Sequence, residues 1–254
     1  MCIHCRSVRF LFETSKHYCI DYGYVCIGKH YAKNFKRACL LNRRDSYVNM
    51  RELVDAHALL LGVIGSMLEE HNGKPVPVAD ESVARKFVLT AAFIQGITLC
   101  EKSILDGLYL QAGSLIRQEY ETLILLNEIK AGTRRDGKVG NAKHAFWKGN
   151  KHYGELSALA HLSNHQILES IIGYNTTWGD FASTTPSYQR ENALRLYGFH
   201  TSMLLGLVEE LKDLYTKMYN FTLSDRESKI LDIVASVLIQ AKVFKTPKEG
   251  PSSS

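Results

Sequence analysis

The 254-residue chain has no unbroken, strongly apolar run of bilayer-spanning length. Its longest strongly apolar stretch, Ala58 to Leu68, falls well short of the roughly 18 to 20 residues such a helix needs. The opening, MCIHCRSVRFLFETSKHYC, carries basic side chains but not the apolar core of a secretory signal. Neither a membrane segment nor export is therefore expected, and the expected location is cytoplasmic. Also missing are a P-loop, a paired-glycine dinucleotide fingerprint, an HExxH helix, a GxSxG elbow and the Glu-x-x-His pairs of di-iron bundles. These absences argue against the corresponding nucleotide, metal and nucleophile chemistries, so neither a cofactor nor a metal is expected. No fixed-period repeat, sustained heptad or strand-helix alternation is visible, which removes solenoids, long coiled coils and doubly wound sheets.

What is present is a chain 45% hydrophobic, sufficient for a sizeable core, with a net charge of +5 placed unevenly. Residues 1–49 hold nine Lys and Arg against Glu13, Asp21 and Asp45; the remainder holds 22 basic against 23 acidic residues. Five of the six cysteines, Cys2, Cys5, Cys19, Cys26 and Cys39, lie in the same leader. Three readings of this leader compete. CIHC could begin a zinc site, although Cys19 and Cys26 are poorly spaced for a second ligand pair. KHYAKNFKR could form a basic, aromatic-bearing arm for nucleic acid. The favoured reading is that residues 1–49 stand outside the working fold, with an over-extended start and translation from Met50.

From residue 50 to 245 the pattern is helical. A helix begins near Met50 and stops at HNGKPVP; Asp80 caps a long run that bends near Gly96 or Gly107; a turn near Ala112 and Gly113 precedes SLIRQEYETLILL. A glycine-rich basic loop, Arg134 to Lys151, leads to short helices around Phe146, in HYGELSALAH and in QILESII. A long run from Ser187 to Tyr219 follows, and Ser224 with Glu227 forms a capping box before the last helix. Residues 246–254 read as a disordered tail. The expected fold is all-α, a helical bundle of about five to seven helices with the basic loop between central helices.

The candidate site lies on two of these helices. Arg117 and Glu121 are four apart on a helix apolar on nearly every side, so the pair is expected in a mainly buried setting. Tyr153, Ser157 and His161 form a polar row opposite Leu156, Leu159 and Leu162. The pairing of LIRQEYE with HYGELSALAH resembles a family of mostly bacterial helical proteins catalogued as a domain of unknown function. That family carries an Arg-x-x-x-Glu helix and a Tyr-x-x-Leu-Ser-x-x-x-His helix, and the similarity covers roughly residues 80 to 222. The resemblance implies an all-α fold in which Arg117, Glu121, Tyr153, Ser157 and His161 converge, and brings no activity with it.

The expected role is that of an interaction or regulatory bundle, with apolar stripes at Leu204, Leu207, Leu211 and Leu214 or at Ile230, Ile233 and Val237 available to a second copy or another protein. The alternative is metal-independent RNA cleavage by analogy with the HEPN ribonucleases. Arg117 would hold phosphate, His161 would transfer the proton, and the loop from Arg134 to Lys151 would draw RNA in. The HEPN spacing of Arg and His itself occurs at Arg51 with His57 and at Arg195 with His200, a count that chance alone supplies given 13 arginines and 10 histidines.

Overall fold

The computed structural model describes residues 22–77, 80–145, 154, 156–158, 160, 165–172, 174–175 and 181–243. These form an all-α bundle. Its helices are α1 (Tyr22–Asn49), α2 (Arg51–His71), α3 (Glu81–Leu105), α4 (Tyr109–Lys130), α5 (His165–Ile172), α6 (Arg190–Tyr219) and α7 (Asp225–Gln240). A 3-10 turn at Ala142–His144 lies in the basic loop, and Tyr174–Asn175 pairs antiparallel with Phe181–Ala182. Residues 154, 156–158 and 160 are helical. The short helix expected around Phe146 and the tail lie outside the described residues.

Local chemistry sets the element ends. The Asp80 side chain accepts from the Val83 N–H at 2.7 Å, and Ser224 and Glu227 complete both halves of their capping box. The break after α3 falls at Gly107, whose φ of 80° belongs to the left-handed region that favours glycine. The turn expected at Ala112 and Gly113 is absent. Both residues are buried inside α4, because the Gly107 turn has already reversed the chain and the apolar face of α4 continues through them.

The core sits around α6, which packs on α2, α3 and α4, while α7 covers α2 with Val234 and Leu238. Leu204, Leu207, Leu211 and Leu214 belong to this core and are no more than 2% exposed, so they offer no surface stripe. Each fully buried leucine contributes about 1.5–3 kcal/mol. On α7, Ile233 is exposed, while Ile230 and Val237 are half-buried. A Cβ on Gly206 of α6 would lie 2.8 Å from the Leu123 side chain, so glycine lets α6 and α4 approach closely. By length and composition α3 could cross a membrane, yet its packing on α4 is the most extensive in the bundle.

The C-terminal part of α1 docks on the turn after α3. Arg43 donates from Nε and Nη2 to Asp106 Oδ1 at 3.0 and 2.6 Å, Asn42 donates to the Asp106 carbonyl, and Ser46 donates to the Leu105 carbonyl. Cys39, Asn42 and Ser46 are buried there. Only Met50, itself buried, separates α1 from α2.

Candidate functional site

Arg117 and Glu121 form the ion pair their spacing requires, with Arg117 Nε and Nη2 at 3.0 and 2.9 Å from Glu121 Oε1. Both side chains are mostly buried, at 15% and 28% exposed. Ser157 is half-buried next to the buried Leu156. Tyr153 and His161 lie outside the described residues; among the described ones, Arg117 and Glu121 are the expected site residues seen in contact.

A second polar constellation occupies the core, one that the sequence reading did not assemble. Each of four helices places polar side chains within its apolar stripe: His57 among Leu53, Ala56 and Leu60 of α2, Cys100 between Ile97 and Ile104 of α3, Glu119 between Ile116 and Leu123 of α4, and His200 among Leu196, Tyr197 and Leu204 of α6. His57 Nε2 and His200 Nε2 are 3.1 Å apart, and His200 Nδ1 is 2.9 Å from either oxygen of Glu119. At the other end, His57 Nδ1 is 3.5 Å from Glu101 Oε1, which accepts the Tyr197 hydroxyl at 2.9 Å. His57, His200 and Tyr197 are no more than 1% exposed, and Glu101, 22% exposed at its side chain, forms the outer end of the chain.

Burial and the adjoining His200 ring push His57 down to about 3, so it is a neutral imidazole at pH 7. One proton is available between the two Nε2 atoms, and in the tautomer where His200 holds it, His57 carries its hydrogen on Nδ1 toward Glu101. That leaves the gap between His200 Nδ1 and the Glu119 carboxylate for a proton or a cation, since a buried carboxylate requires a positive or hydrogen-donating partner. Burial first, then Glu101, raises the Tyr197 phenol. The Cys100 thiol is pushed well up, by burial first and then by the Glu119 charge beside it. Among the described residues, Cys100, Glu119 and His200 are the group whose ligand-type atoms all lie within 4.8 Å of one another.

The two HEPN-like spacings do not build Arg-His pairs. Arg51 is exposed and faces Asp55, Arg195 is exposed over the Phe199 ring, and both histidines point inward. The signal that could have found the network was a His, Cys or Glu at a core position of each helical wheel.

Fold and site together define an all-α bundle with a histidine–carboxylate network sealed at its centre. Comparison of the chain with family models, curated proteins and solved structures gives no match in any of the three.

Proposed function

We propose that this chain is an interaction module that binds single-stranded nucleic acid through the outward face of α1. The observation that carries this reading is an unneutralised basic stripe. Lys29, Lys33, Lys36 and Arg37, with Arg44, recur at exposed helical steps of α1, Lys36 at the mouth of the groove toward α3 and the others on the face turned away from the buried Cys39, Asn42 and Ser46. Among the described residues, the first four form no ion pair, whereas cations of the body are widely paired: Lys130 with Asp213, Arg134 with Glu128, Lys217 with Asp80 and Lys212 with Glu209. Residues 22–49 hold six cations against Asp45 alone, which repels a second copy of the same helix and attracts a polyanion.

Phosphate contacts dominate this mode. Tyr31 and Phe35, the aromatics within the basic motif, reach toward the bundle, the exposed Tyr31 donating to the Thr184 carbonyl and Phe35 lying near Leu108, while Tyr47 is exposed beside the cations. Leu40, Leu41 and Val48 are exposed among these cations, and it is the density of unpaired charge on α1 that favours phosphate in water over an acyl layer. The loop from Arg134 is the weaker RNA candidate, because Glu128 pairs with Arg134 and accepts the Asn141 N–H at 2.6 Å.

The test is a titration of labelled single-stranded RNA with the intact chain at low salt. Saturable binding that is lost when Lys29, Lys33, Lys36 and Arg37 are all changed to Gln supports the reading. Binding to anionic vesicles without binding to RNA contradicts it. RNA cleavage without added metal that Arg117→Ala abolishes would put the ribonuclease reading through Arg117 and His161 in its place.

A further inference from the structure

The hydrogen-bond inventory of the buried network does not close. Glu119 is 4% exposed and its Oε1 has no hydrogen-bond partner, although Oε1 and Oε2 both lie 2.9 Å from His200 Nδ1. One N–H can point along only one of these directions, and although the Cys100 thiol interacts with the Glu119 carboxylate, Oε1 itself is left without a partner. An orphaned buried carboxylate oxygen is destabilising, and the surrounding apolar residues cannot offset it.

We propose that Cys100, Glu119 and His200 form a buried site for a divalent metal ion of zinc type. The donor set is a thiolate, a carboxylate and an imidazole Nδ1, a combination suited to zinc or cobalt and unlike the all-oxygen shells of calcium or magnesium. The three groups lie within 4.8 Å of one another, and a tetrahedral centre with bonds of about 2.0–2.3 Å sets its ligand atoms about 3.3–3.8 Å apart. Loading therefore requires the Glu119 and His200 contact to open by about half an ångström. The ion replaces the proton between Nδ1 and the carboxylate and the proton of the Cys100 thiol, and both protons leave to water. The carboxylate then faces a dication in place of a proton, which compensates the unpartnered Oε1.

The surroundings fit this assignment at two further points. A dication, a thiolate and a carboxylate sum to zero, so the core gains no net charge. The His200 Nε2–H is held by His57, which is itself oriented by Glu101 and Tyr197, the outer-shell arrangement that fixes the tautomer of a ligating histidine. With its three protein ligands sealed from solvent, the metal enters during folding. This site is independent of the nucleic-acid reading and survives its failure.

The experiment is to unfold the full-length chain and refold it with Co2+ or with chelator. The expected result is one tightly held cobalt per chain with a near-ultraviolet thiolate-to-cobalt charge-transfer band. That band is absent in Cys100→Ser and kept in Cys39→Ser, which changes the other cysteine buried among the described residues. No retained cobalt, or an undiminished band in Cys100→Ser, overturns the proposal. Should Cys100→Ser fail to refold, X-ray absorption on the zinc-loaded wild type reads the same claim: one sulfur in the metal's first shell supports it, and none, or two or more, overturns it.

Discussion

Replacing Arg43 by Met tests how firmly α1 belongs to the bundle. Asp106 Oδ1 receives both of its side-chain hydrogen bonds from Arg43, and the Asp106 side chain is only 6% exposed. Removing one partner of a fully buried ion pair costs about 3–5 kcal/mol, because the other charge stays desolvated. Here Arg43 is itself 34% exposed, and both residues line an open groove of about 500 Å³ between α1 and α3, where water can reach the orphaned carboxylate. The worked magnitude is accordingly about 2 kcal/mol, or a fall in Tm of roughly 4–8 °C at this chain length. Arg37→Met, on the unpaired outward face, is expected to stay within about 0.5 kcal/mol. Asp106→Asn in the Arg43→Met background should recover part of the loss, since the residual cost lies in the carboxylate's charge. Chemical denaturation of the four proteins measures all of this. If Arg43→Met shifts the midpoint no more than Arg37→Met, the docking of α1 by this pair is refuted.

Glu210 is buried, one of its oxygens has no hydrogen-bond partner, and its carboxyl is raised above the ordinary range, by burial first. The folded state thus holds this proton more tightly than the unfolded one, so the stability it contributes is complete at low pH and is lost as pH rises through the folded pKa. Glu210→Gln should raise Tm by a few degrees at neutral pH, with the gain disappearing in acid; a gain independent of pH would contradict the assignment. Gly107→Ala should cost about 1–3 kcal/mol, because φ is 80° and the new Cβ would meet the Asn42 side chain at 2.6 Å. Thermal unfolding checks it, and a change under about 0.5 kcal/mol would refute the strain.

The fold was legible because helical periodicity, the Asp80 cap and the Ser224 box are local signals written within a few residues. The Gly107 turn was legible as one of two alternatives, and the structure selects it through backbone conformation that the sequence carries only as a glycine. The Arg117 and Glu121 pair was legible for the same local reason. The central network was not. His57, Cys100, Glu119 and His200 come from four helices, and no spacing along the chain encodes a contact between residues 143 positions apart. The histidines were noticed through a pattern that required arginines beside them, whereas their partners are carboxylates on other helices. The apolar stripe of α6 shows the reverse case: periodicity marked its leucines correctly, but only tertiary packing decides whether such a stripe faces a partner or the core.

The central claim, that the outward face of α1 engages nucleic-acid phosphates, is tested most directly by the salt dependence of binding to a short single-stranded RNA. Four phosphate contacts from Lys29, Lys33, Lys36 and Arg37 give a slope of log K against log salt of about −3. The account predicts that slope for the intact chain and a value near zero when the four residues are glutamines. An unchanged slope in the variant, or no binding at low salt, would contradict it.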